Sequence, residues 1–157
     1  GKKDVYDKHV DIFAILGSST LCGGYGAGNT TKLANQIIVA LNIAAVSEAL
    51  VLSRKAGLDP EVVFNAIKGG LAGSTVLNAK APMMIEGNFN PGFRIRLHQK
   101  DLNNALQTAR ELGVPLPFTS MVQQVIGSLM NEGKGESDHS AIANFIEDMA
   151  QTKISGQ

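Results

Sequence analysis

The chain has 157 residues, enough for one domain with a real hydrophobic core, and its 14 basic and 14 acidic residues cancel. That balance removes the electrostatic case for nucleic acid or an anionic membrane as partner, and 44% hydrophobic against 18% charged residues argues against disorder. The core must be aliphatic, because aromatics make up 5% and Trp is absent, and the single cysteine, Cys22, points to a reducing, cytoplasmic setting.

The first residues show no leader pattern and enter a helical one at once without Met, which reads as a piece of something longer. Over residues 4–16, Val5, His9, Ile12, Phe13 and Leu16 share a helical face, and Gly17 supplies a stop. Ser18 to Cys22 is compatible with a short strand, though five residues decide little. Gly23, Gly24, Gly26 and Gly28 then crowd together as a junction.

Residues 29–56 read as one helix, about 42 Å long at 1.5 Å per residue. No charged residue lies between Lys32 and Glu48. A helix apolar all round is either buried or membrane-spanning. Asn35, Gln36, Asn42 and Ser47 interrupt a run already shorter than a membrane span needs, so the core is the better place for it. Burying every side of it exceeds what one small domain offers, and a partner surface is expected.

After the stop at Gly57, Asp59-Pro60-Glu61 opens a short helix over 60–68 with a capping side chain, a proline and a first-turn acid. Gly69-Gly70 end it. Residues 74–86 form a helix disturbed by Pro82, and Asn88 to Gly92 a turn. Leu102, Ala105, Leu106, Ala109 and Leu112 mark a helix over 96–112 that Gly113 ends. Pro115 and Pro117 keep the chain extended until Thr119 or Ser120 caps the next helix. Its buried stripe is Met121, Val122, Val125, Ile126, Leu129 and Met130. A last helix starts near Asp138 and buries Ile142, Phe145, Ile146 and Met149. From residue 26 onward the pattern is all-α, a multi-helix domain around one long central helix.

The glycines of Gly26-Ala27-Gly28 begin a dinucleotide fingerprint but lack its third glycine and its strand–turn–helix setting, and Thr31-Lys32-Leu33 is not a phosphate-loop ending. More informative is a polar patch: Asn29, Lys32, Asn35 and Gln36 project from one side of the helix's first two turns. By spacing alone, Lys32 reads first as a boundary lysine reaching back to water. A catalytic lysine there would be a general acid with a carboxamide beside it. Likewise Phe93, Lys100 and Asp101 read by spacing as a core aromatic and a solvated charge pair. His9, His98 and His139 show no ligand spacing, so no metal site is expected. A non-catalytic helical oligomerisation module also accounts for the long apolar helix.

The run from Gly26 through Lys32 to Asn35 and Gln36 resembles the G-x-G-x-x-x-K-x-x-x-N-type motif of the β-hydroxyacid dehydrogenases, except that the asparagine here follows the lysine by three residues. Gly69 to Thr75 and Pro91 to Leu102 look like later blocks of the same family, in order along the chain. The resemblance implies a carboxy-terminal all-α domain of the phosphogluconate dehydrogenase type following a Rossmann domain. On that template residues 1–25 are the tail of the Rossmann domain, and 26–157 the substrate and dimerisation domain. It further implies NAD or NADP as cofactor, held mainly by the upstream domain, a small hydroxy-acid or aldehyde substrate, and a homodimer or homotetramer. Lys32 would be the catalytic proton donor. Asn29, Asn35 and Asp101 would contact substrate, and Phe93 and Lys100 would border the cofactor.

Overall fold

The computed structural model describes residues 1–156. Its elements are α1 (Lys3–Lys8), α2 (Val10–Leu16), α3 (Ala27–Lys55), α4 (Pro60–Ile67), α5 (Thr75–Glu86), α6 (Ile95–Leu112), α7 (Pro117–Asn131) and α8 (Ile142–Ala150), with short 3-10 turns at Lys134–Glu136 and His139–Ala141. Among the described residues no strand forms, and Ser18 to Cys22 is irregular chain. An extended segment with no neighbouring strand has no ladder to join.

The helix expected over 4–16 is two, broken at His9, whose ψ of 10° leaves the helical region. None of residues 1–25 is buried, and Ile12, Ile15 and Leu16 present their side chains outward.

The long helix α3 is the axis around which α4 to α8 pack. By length and composition it could cross a membrane; here 39% of its most apolar stretch is buried against other helices of the chain. One stripe turns inward: Gln36, Ala40, Ile43, Ser47 and Leu50, at the three- and four-residue steps of a helix face. It meets Leu77, Ala81 and Met84 of α5, Leu102 of α6, Ile126 and Leu129 of α7, and Ile142 of α8 in one core. The opposite face, with Ala34, Ile38, Ala45 and Leu52, stays exposed. The all-round burial suggested by the absence of charge is therefore not reached within one chain.

Several helix ends follow their local chemistry. Asp59 accepts the Glu61 N–H at 3.0 Å, and Ser74 accepts the Leu77 N–H at 2.9 Å. Gly113 closes α6 at a φ of 70°, a conformation that penalises any side chain. At Gly73 a Cβ would run into the Lys68 and Gly70 carbonyls, so the 69–73 turn can close only around a glycine.

Other expectations need correction. Helix α7 starts at Pro117, where proline's missing N–H costs nothing, rather than after Thr119 or Ser120. Thr119 is buried inside its first turn. Met121 and Met149, expected in buried stripes, are 68% and 73% exposed. Toward its end α8 buries Glu147 instead, whose carboxylate accepts the Ile154 N–H at 2.7 Å and lies 3.4 Å from Lys153 Nζ. The chain after α8 folds back so that Ile154 plugs the core.

Candidate active site

Helix α3 carries Lys32 and Gln36 one turn apart, and α6 brings Lys100 and Asp101 against them. The Asp101 carboxylate accepts the Gln36 side-chain amide at 2.8 Å. Its oxygens also lie 3.7 Å from Lys32 Nζ and 3.2 Å from Lys100 Nζ. Asp101 is largely buried while the two lysines are exposed, so one sheltered carboxylate sits under two ammonium groups at the surface. The half-buried Phe93 ring, from the segment leading into α6, has its centroid 5.7 Å from Lys32 Nζ. That approach attracts the cation to the ring face.

Four of the expected site residues, Lys32, Phe93, Lys100 and Asp101, thus meet. Asn35 is exposed beside them and donates to Gln36 Oε1 at 3.0 Å. Asn29 is exposed a turn earlier on α3, at the rim. Gln36, counted in the polar patch with no role of its own, proves to be the residue that holds Asp101. It is also 4% exposed, unlike the other three residues of the patch.

Asp138 fixes the position of Phe93. Fully buried, it accepts the N–H groups of Gly92 and Phe93 at 2.9 Å on one oxygen and that of Ser140 at 2.9 Å on the other. The Lys80 ammonium from α5 approaches at 2.9 and 3.1 Å. Burial alone would push this carboxyl up. The backbone donors of Phe93 and Ser140, with Lys80, outweigh it and hold the group well below the usual carboxylate range. Asp138 was expected only near a helix start; its 45-residue separation from Phe93 left no local signal.

The histidines, which show no ligand spacing along the chain, include two that the fold unites. His98 and His139 are buried with their Nδ1 atoms 2.9 Å apart, and His98 Nε2 lies 3.2 Å from the Gln36 carbonyl. Burial lowers both imidazoles from their ordinary 6.5, and His139 falls to about 3, with the His98 and Lys80 charges opposing a second proton and Asp138 favouring it. The unfolded chain binds protons on these rings below about 6.5, and the folded chain resists until far lower pH. The His139 contribution is therefore full above pH 6.5 and is lost as pH falls through the window toward 3, at about 1.4 kcal/mol per pH unit, and the lowered His98 adds in the same direction. Asp138 works in a different range, its contribution being lost only below the usual carboxylate value. Urea melts should show stability falling by about 2 kcal/mol or more between pH 6.5 and pH 5. Equal stability at pH 7.5 and pH 5 would count against neutral buried rings.

Comparison with known proteins follows the same geography. A family model for the NAD-binding domain of NADP-dependent 3-hydroxyisobutyrate dehydrogenase matches residues 26–146. The chain is 48% identical over 155 residues to 2-hydroxy-3-oxopropionate reductase of Escherichia coli, covering 98% of this chain and 53% of that protein. It is 34% identical over 154 residues to 2-(hydroxymethyl)glutarate dehydrogenase of Eubacterium barkeri, covering 97% and 51% respectively. A crystal structure of 3-hydroxyisobutyrate dehydrogenase from Salmonella typhimurium superposes with a TM-score of 0.84 at 25% identity, over 92% of this chain and 51% of that one. The chain spans about half the length of these relatives.

Proposed function

The chain belongs to the 3-hydroxyisobutyrate dehydrogenase family, and from that premise we propose that it is the helical half of an NAD(P)-dependent reductase that converts 2-hydroxy-3-oxopropionate to glycerate, with Lys32 as proton donor. The observation that carries this reading is the meeting of Lys32, Asp101 and Phe93 from three segments, with the ammonium exposed where a small molecule can reach it. The choice of substrate rests on the 48% identity to a reductase of that name.

The donor set suits part of a dinucleotide. Two exposed ammonium groups and a phenyl edge can border a phosphate, a ribose or a nicotinamide ring. A full dinucleotide cradle is built on strands, and among the described residues there is none. In this reading the main cradle belongs to a Rossmann domain of which residues 1–25 form the tail, and the exposed Ile12, Ile15 and Leu16 pack against it. When bound, a reduced nicotinamide supplies the hydride.

What this chain supplies is a proton and a charge. Lys32 Nζ carries the proton that the aldehyde oxygen needs, and its positive charge stabilises the negative charge growing there. Asp101, fixed by Gln36, aims the ammonium. Asn35 and Asn29 at the rim can donate to a substrate carboxylate or hydroxyl without competing for the proton. Lys100, farther along α6, is placed for a cofactor phosphate or ribose, with Phe93 as the apolar wall.

The test is steady-state reduction of 2-hydroxy-3-oxopropionate by the protein carrying this chain together with its dinucleotide-binding half. A higher kcat/KM for oxidation of 3-hydroxyisobutyrate or 2-(hydroxymethyl)glutarate would overturn the substrate assignment. The 157-residue chain by itself should show neither tight NAD(P)H binding nor turnover.

A homodimer or homotetramer, in the cytoplasm, completes the proposal. Leu41 and Ala45 of α3 line an apolar groove of about 330 Å³ with Phe118 and Met121 of α7, both more than two-thirds exposed. Leaving such surface in water costs about 25 cal/mol per Å². Sedimentation at micromolar concentration should show a dimer or larger, and Phe118→Glu, at a position 69% exposed, should shift it toward monomer. A monomeric wild type would refute this assembly.

A further inference from the structure

His98 on α6 and His139 in the 3-10 turn before α8 are buried, 41 residues apart in sequence, and unused by the chemistry above. Their bonding is determined by elimination. The Gln36 carbonyl 3.2 Å from His98 Nε2 can only accept, so His98 carries its proton on Nε2 and offers a lone pair at Nδ1. His139, at 2.9 Å, must then donate from its own Nδ1. Because the series of bonds ends on a backbone carbonyl, which cannot hand a proton on to Lys32, the pair is not a proton relay. It reaches instead the two neighbours of Lys32. One is the turn of α3 that carries Gln36. The other is the Phe93 ring, whose centroid lies 5.8 Å from that of His98 and 5.3 Å from that of His139. The His139 N–H also donates to the Phe93 carbonyl at 2.9 Å, so ring and backbone of Phe93 are both held.

We infer that His98 and His139 are positioning residues for the proposed reduction: a one-proton link between two imidazoles that keeps the Phe93 ring and the Gln36 turn at the spacing that places Lys32. The charged groups facing the link are Asp101 on its own helix, Lys32 on α3, Lys80 on α5, and Asp138 next to His139. A second proton would set two cations against each other at hydrogen-bond distance, so the link operates neutral. The inference rests on Lys32 as proton donor, but its test reads the site without turnover.

The sample is the 157-residue chain labelled with ¹⁵N in its imidazoles. Long-range proton–nitrogen spectra at pH 7.5 should show Nε2–H for His98 and Nδ1–H for His139, while the Lys32 side chain and Phe93 ring report the site. His139→Asn keeps an N–H donor at the Nδ1 position and should leave the Lys32 and Phe93 resonances in place. His139→Leu removes the donor and should displace both with helical circular dichroism retained. In the two-domain enzyme the same loss should lower kcat by about 10- to 100-fold with KM little changed, and His139→Asn should restore it. An Nε2–H tautomer at His139, or wild-type Lys32 and Phe93 resonances in His139→Leu, overturns the inference. If His139→Leu fails to fold, His139→Asn decides: retained resonances support the link and displaced ones refute it. Full turnover in Lys32→Ala would sink the proposed chemistry while leaving these spectra unchanged, so the two failures are distinguishable.

Discussion

In the two-domain enzyme proposed above, Lys32→Ala should lower kcat by about 10²–10⁴-fold, the range that a positioned general acid contributes. The substitution removes the proton and also the positive charge that stabilises the growing alkoxide. Lys32→Arg should not restore turnover, since guanidinium keeps the charge but is a very poor proton donor. Asn35→Ala should act partly through KM, because its exposed amide can contact substrate but carries no transferable proton. The fold should survive each change. The Lys32 side chain is 55% exposed, and its 3.7 Å contact with Asp101 is one of three that this carboxylate makes. Steady-state kinetics with a thermal melt on the same variant decides the matter. Near-normal turnover would return Lys32 to the role of a boundary lysine reaching water, and leave the helical domain with assembly as its main task.

Asp138→Asn should destabilise the chain by about 3–5 kcal/mol, the usual cost of removing one partner from a buried ion pair. At this chain length that is a fall in Tm on the order of 10 °C. The fully buried carboxylate receives three backbone N–H groups and the Lys80 ammonium, all as donors. An asparagine amide must turn its own N–H₂ toward the donors that face one of the two oxygens, and Lys80 loses its counter-charge. Lys80→Met should cost less, because Asp138 would keep its three backbone donors and the lysine stem's volume would be preserved. A larger loss for Lys80→Met than for Asp138→Asn in urea titrations would contradict this ordering. Phe93 should lose its fixed place in Asp138→Asn, so site function should suffer along with stability.

The helices from α3 to α8, most of their stops and the position of Lys32 near the start of the long one were legible in the sequence because each depends on neighbours within a turn or two, whereas the break at His9 and the start of α7 at Pro117 were not. Asp59 and Ser74 cap where they stand, Gly113 stops α6, and the helical period is covalent spacing. The meeting of Lys32 with Phe93 and Asp101 could be named from family resemblance, but its geometry needed α3 and α6 to cross. Which side of a helix is covered lay beyond the period itself. Met121 and Met149 fall on apolar stripes yet face outward, and Glu147 is buried because the returning chain brings Ile154 and Lys153 to its carboxylate. The His98–His139 contact and the Asp138 hub join residues 41 to 58 positions apart, so no local pattern encodes them. Local spacing along this chain determined which elements form and where they end. Only tertiary packing decided which faces are buried, which imidazoles touch and which carboxylate holds Phe93, because those depend on how separate helices cross in space.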